Sequence, residues 1–103
     1  MTTLLVLYPT PTDPVAFEDH YRARHLPLVA ALPGISHARF ALGLDGDGGP
    51  VYGVFQAEFA SPEALSAALG SPAGRAVQED VPRYATGGAT VLTFDAEDVP
   101  SAP

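Results

Sequence analysis

The polar side chains that could do chemistry in this 103-residue chain crowd into one stretch, Phe17-Glu18-Asp19-His20-Tyr21-Arg22-Ala23-Arg24-His25-Leu26-Pro27-Leu28. Two imidazoles, a phenol and two guanidinium groups fall between positions 20 and 25. Imidazole titrates near neutral pH, so a histidine here can take up or give back a proton. A neighbouring phenol such as Tyr21 can donate to a developing oxyanion, and Arg24 can anchor an anion. A metal centre is poorly served. His20 and His25 are five residues apart, which is the wrong spacing for one helical face, and no carboxylate completes a ligand set. The absence of cysteine excludes thiol nucleophiles, disulfides and iron–sulfur clusters. No Gly-x-Ser-x-Gly, phosphate loop or dinucleotide fingerprint occurs, and no cofactor is expected. Asp45-Gly-Asp-Gly-Gly looks like a calcium loop until Gln56, which stands where the bidentate Glu is needed.

A helix must carry this cluster. Asp13-Pro14 reads as an N-cap followed by the first helical residue, and Pro33-Gly34 as the stop. Between them Phe17, Tyr21, Arg24, Leu28 and Leu32 recur at spacings of three and four, which predicts a core-facing stripe with His25 at its flank. Pro27 has no N–H, so the Ala23 carbonyl loses its helical partner and a kink near His25 is expected. A kinked helix with an imidazole and a phenol on its inner side is a suitable lip for a cavity. His25 could equally hydrogen-bond a freed backbone carbonyl and serve structure alone. Arg24, on the stripe, could pair with Glu58 or Glu79, reach the rim, or bind a substrate anion.

The remaining elements follow from the same signals. Thr2–Tyr8 is a strand stopped by Pro9-Thr-Pro-Thr-Asp-Pro, Ile35–Leu44 a second, and Val51–Phe59 a third, with Asp45–Pro50 as the hairpin loop. Ser61-Pro62 caps a helix over Ala64–Leu69; Gly70-Ser71-Pro72 breaks it before a short segment Ala73–Asp80. Gly87-Gly88 opens the last strand, Ala89–Asp95. The order is β-α-β-β-α-β, an α+β, ferredoxin-like arrangement with helices on one face of a four-stranded antiparallel sheet. His37 and Arg39 share one face of the second strand and could wall a pocket or face solvent. Tyr84, with Arg83, could close a cavity mouth. The domain is expected over residues 1–96, with 97–103 a loose tail.

Composition narrows the partners. The chain is 47% apolar and 17% charged, which suits one folded domain of modest core. Five Arg and no Lys against twelve acids give a net charge of −7, which speaks against nucleic acid and anionic membranes. Met1-Thr-Thr-Leu lacks a basic n-region and the apolar run Leu4–Tyr8 is too short for a signal or a span, so a cytoplasmic location is expected. The first strand is apolar in both registers (Leu5 and Leu7; Leu4, Val6 and Tyr8), as is the last (Val91; Leu92 and Phe94). A strand apolar on both faces is buried on both. Two helices cover one face only, so a homodimer packed sheet to sheet is expected.

Several stretches resemble the EthD family: Leu5-Val6-Leu7-Tyr8-Pro9, then Phe17-x-x-x-Tyr21-x-x-x-His25-x-Pro27-Leu28, then Pro33-Gly34-Ile35. Ser71-Pro72-Ala-Gly74-Arg75-Ala76 and Tyr84-Ala85-Thr86-Gly87-Gly88 are similar to the branch labelled EthD family reductase, although no flavin or nicotinamide motif accompanies them. The resemblance implies a dimeric α/β barrel with a small-molecule cavity between sheet and helices. It matches His25 to the family's recurrent histidine, Tyr21 to the preceding aromatic and Phe17 to a buried anchor. His20 stands where the family often has a further aromatic. Relatives on this fold include cofactor-free monooxygenases, dehydratases, isomerases and polyketide cyclases, so fold alone does not choose the reaction.

Three readings stay open on the sequence. One is a cofactor-independent enzyme for a small apolar or aromatic ligand, with His25 and Tyr21 catalytic and Phe17, His20, Arg24, His37, Arg39 and Tyr84 contacting substrate. Another is a non-catalytic binding or accessory protein that uses the same cavity. The third is a structural dimer whose His25 bonds backbone and whose cavity is filled.

Overall fold

The computed structural model describes residues 1–44 and 50–102. Four strands, β1 (Thr2–Pro9), β2 (Ile35–Leu42), β3 (Val51–Phe59) and β4 (Thr90–Asp95), form one sheet in the order β2-β3-β1-β4. Every neighbouring pair is antiparallel. Helices α1 (Pro14–His20), α2 (Leu26–Ala30), α3 (Pro62–Gly70) and α4 (Pro72–Tyr84) complete the ferredoxin-like α+β fold. The expected Asp45–Pro50 hairpin loop lies, but for Pro50, outside the described residues. Residues 96–102 are exposed and carry no regular structure.

The helix starts are as the sequence dictates. Asp13, Ser61 and Ser71 each accept the backbone N–H three residues on, from Ala16, Ala64 and Gly74, all at 3.1 Å. A proline follows each cap, where its missing N–H costs nothing. Gly34, at φ +78°, supplies the left-handed turn that a residue with a Cβ resists.

Two helices depart from the expected form. Between α1 and α2 the chain winds through a π-helical segment, Tyr21–His25, and the Leu26 N–H reaches back five residues to the Tyr21 carbonyl. This wider turn accommodates Pro27. It also changes which residues face inward. The buried stripe is Phe17, Tyr21, His25 and Val29, and Arg24 and Leu28 leave it. The second correction concerns α4, which continues past Asp80 to Tyr84 through Pro82. A proline this close to a helix end removes a single intrahelical hydrogen bond, and the last turn survives it.

The core lies between the helices and one sheet face. Along β1, Thr2, Leu4, Val6 and Tyr8 are buried under the helices, and the residues between them are half-buried. Tyr8, Phe17, Tyr21 and Phe59 are the largest fully buried side chains. Each such ring removed from water contributes about 2–3 kcal/mol, and the edge-to-face contacts of Tyr8 with Phe17 and Tyr21 add specificity. The opposite sheet face carries Leu5, Leu7, Val54, Leu92 and Phe94 and has no helix over it; Leu92 is 45% and Phe94 42% exposed.

Candidate functional site

The π turn and α4 meet around one carboxylate. Asp80 is 4% exposed and receives two imidazoles, one from each end of the π segment. His25 Nδ1 lies 2.9 Å from Asp80 Oδ2, and His20 Nε2 lies 2.9 Å from Oδ1 and 3.1 Å from Oδ2. A carboxylate only accepts, so the His25 Nδ1–H donates and Nε2 keeps its lone pair. His25 itself is 3% exposed, and Nε2 makes no hydrogen bond among the described residues. That nitrogen is not sealed either: the Tyr21 hydroxyl is the one described buried polar atom without a partner. The His25 ring lines a cavity of about 130 Å³, together with Leu4, Val6, Phe55, Val77, Val81 and Val91.

Electrostatics keep this imidazole neutral. Burial lowers the His25 pKa below its ordinary value, and the hydrogen bond and charge of Asp80 only partly oppose that. Burial alone would raise the Asp80 carboxyl, but the hydrogen bonds from His20 and His25 bring it below its ordinary range. A depressed histidine beside a depressed aspartate describes a neutral imidazole donating to a carboxylate. An ion pair would have raised the histidine. Burial also pushes the Tyr8, Tyr21 and Tyr84 hydroxyls well up, so all three are neutral donors and acceptors.

A stability slope follows from His25. Its native pKa is depressed, so below pH about 6.5 the unfolded chain binds a proton that the native ring refuses. Stability should therefore fall as pH drops from 7 towards 5, by up to about 1.4 kcal/mol per pH unit for one full proton. Asp80 contributes a further loss only at lower pH, as pH falls from the ordinary carboxylate range through its depressed native pKa. Thermal denaturation of the wild type and of His25→Phe at pH 7, 6 and 5 checks this. The variant should lose the slope between pH 7 and 5.

Tyr21, Phe17 and Tyr84 back the imidazole without lining the cavity themselves. Tyr21 stacks on His25 with ring centroids 5.3 Å apart and on Phe17 at 5.5 Å, so both brace the imidazole from behind. Tyr84 stands 4.6 Å from the His25 ring, and its hydroxyl pairs with that of Tyr8 at 2.8 Å. His20, its side chain 26% exposed, stacks on Tyr84 and reaches Asp80 rather than the cavity.

The structure does not gather every residue expected at the site. Arg24 is exposed and points away, because the π turn rotates it off the inner stripe. His37 and Arg39 lie on the opposite sheet face, paired in register with Glu58 and Gln56. Arg39 Nε donates to Gln56 Oε1 at 2.9 Å, and both residues line a separate groove with Thr3 and Phe94. Asp80 and Tyr8 were missed. Asp80 did leave a signal: Val77, Asp80, Val81 and Tyr84 repeat at helical spacing, which puts a carboxylate on an apolar face. Among the described residues no three histidine or acid side chains converge to hold a metal ion.

Comparison with known proteins places the chain in a family. Residues 9–88 match the EthD domain. The chain is 38% identical over 103 residues to an uncharacterized 11.0 kDa protein in the thcB-thcC intergenic region of Rhodococcus erythropolis, covering 96% of this chain and 98% of that one. A crystal structure of an ethyl tert-butyl ether d (EthD) family protein from Bacillus halodurans superposes with a TM-score of 0.87 at 25% identity, covering 94% and 99% of the two chains. A dimeric ferredoxin-like protein of unknown function from Thermobifida fusca gives 0.73 at 16% identity, over 92% and 90%. SnoaB, a cofactor-independent oxygenase from Streptomyces nogalater, gives 0.69 at 18%, over 95% and 94%; these last two are likenesses of fold alone. With a domain match over most of its length, a curated relative of the same size and a shared structure, this chain belongs to the EthD family.

Proposed function

We propose that this protein is a cofactor-independent enzyme that removes a proton from a small, mostly apolar molecule held in the cavity, with His25 as general base. The observation that carries this reading is the 2.9 Å Asp80–His25 hydrogen bond, which leaves a free lone pair on Nε2 of a ring that lines an apolar cavity. Nε2 takes the proton, the imidazolium forms, and Asp80 stabilises the new charge through Nδ1–H. The substrate keeps the electron pair as an anion beside that imidazolium. Oxygenation, dehydration and cyclisation can each begin with this step. Tyr21, Phe17 and Tyr84 position the ring, and His20 positions Asp80. His37, Arg39 and Arg24 have no part in it.

The test is a screen of small neutral aromatic and β-dicarbonyl compounds by thermal shift in air-saturated buffer, followed by mass spectrometry of the mixture. A compound that both stabilises the protein and is converted supports the enzyme. Stabilisation across the hits with no product would identify a carrier instead.

We also propose that the uncovered sheet face joins two copies of the chain. Leu5, Leu7, Leu92 and Phe94 present a continuous apolar surface of the kind that marks an interface. Sedimentation at micromolar concentration should return a dimer. Leu92→Glu, which sets a charge in the middle of that surface, should return a monomer that keeps its helical circular dichroism.

A further inference from the structure

We infer that the cavity selects an uncharged ligand of about one ring that donates a hydrogen bond to His25, a phenol or enol in preference to an ether, ketone or carboxylate. This rests on the reading of His25 as a neutral base and deepens it by naming the class of substrate.

Size comes first. A cavity of about 130 Å³ is close to the roughly 150 Å³ void that binds benzene when engineered into a protein core. One ring fills it, and two fused rings would project through the mouth. The mouth lies between α4 and β4, where Gln78, Ala89 and Val91 line the cavity and are themselves exposed.

Hydrogen-bonding polarity comes second. The lining offers few polar side chains, and those it has are committed. The Gln78 amide nitrogen donates to the carbonyls of Leu69 and Gly74, both at 3.0 Å, which leaves only its oxygen. The Tyr8 hydroxyl is turned to Tyr84. His25 Nε2 is an acceptor because Asp80 holds the ring's proton on Nδ1. A ligand with a donor completes that nitrogen. One with only an acceptor sets two lone pairs against each other in an apolar space, at the cost of an unsatisfied buried group.

Charge comes third. Among the described residues no lysine or arginine lines the cavity, and the buried carboxylate is that of Asp80, which holds the His25 ring. A ligand carboxylate would leave water without meeting a cation and would lie near an anion.

The experiment is calorimetric titration of the wild-type protein at pH 7.5 with phenol, anisole and benzoate, repeated on Asp80→Asn. In the wild type phenol should bind about tenfold tighter than anisole, the ratio one hydrogen bond supplies, and benzoate should not bind. In Asp80→Asn the amide N–H can donate to His25 Nδ1, which moves the ring proton to Nε2. The preference for phenol over anisole should then vanish or reverse. Equal affinity for phenol and anisole in the wild type, binding of benzoate, or no binding by any of the three overturns the proposal. The reading of His25 as a base fails separately. Should phenol be preferred while no screened compound is ever converted, the ligand class stands and the enzyme does not.

Discussion

Replacing His25 with glutamine is expected to lower turnover of any converted compound by roughly 10²–10⁴, the contribution of a positioned general base. Glutamine fills similar space and offers an amide N–H to Asp80, so the fold and the carboxylate's hydrogen bond survive. What disappears is a basic lone pair on the cavity side. Ligand affinity should change far less than turnover, because the apolar walls formed by Leu4, Val6 and Phe55 are untouched. Comparing kcat with ligand Kd across the two proteins separates base from bystander. Loss of affinity with kcat retained would assign His25 to binding alone.

The second large effect is expected on stability, from Asp80→Ala. Two imidazoles lose their acceptor at once. His20, with 26% of its side chain exposed, can turn to water; His25, at 4%, cannot. Leaving that buried N–H without a partner costs about 1–3 kcal/mol. For a domain of this size each kcal/mol moves the melting temperature by roughly 4–8 °C, so the loss is plain in a thermal melt. Asp80→Asn keeps the shape and should melt closer to wild type, yet it should lose most of its turnover. In a serine-protease triad the equivalent amide exchange costs about 10⁴ by stabilising the wrong tautomer. A pair of variants alike in fold and unlike in activity would locate Asp80 in proton placement and not merely in packing.

The parts of this fold that were legible in the sequence are those set by local chemistry. Asp13, Ser61 and Ser71 declared the helix starts because each is a short polar side chain ahead of a proline. Val51–Phe59 was read to the residue because turn signals and a Ser-Pro cap bound it. The apolar residues in both registers of β1 and β4 disclosed a sheet with apolar groups on both sides. His25, Tyr21 and Tyr84 were legible as residue types, and the structure does bring them together with Phe17 and His20. Other parts depend on contacts distant in the chain. Regular α-helical periodicity puts Arg24 and Leu28 inside; the π turn substitutes His25 and Val29, which repeat at intervals of four from Phe17. That run of fours was present in the sequence but fits no ideal helix. Asp80 was obscured for a different reason. The expected segment stopped at Asp80, which put the acid at a helix end; α4 runs on to Tyr84, and Asp80 lies within its buried face. His37 and Arg39 have the right chemistry on the wrong side of the sheet, and which side a helix covers is a tertiary fact.

The position of β1 in the sheet has a consequence for how the protein is made. It precedes every other element in the chain yet lies between β3 and β4, and Thr2 Oγ1 is hydrogen-bonded to Asp95 at 2.6 Å, 93 residues away. A growing chain therefore exposes its oiliest strand on leaving the ribosome, and that strand must wait until residues 90–95 have been translated before its second edge is paired. The cavity acquires its last lining residue, Val91, in the same late step. Nascent chains halted before residue 90 should thus be prey to chaperones and unable to hold ligand, and competence arrives only with the closing strand.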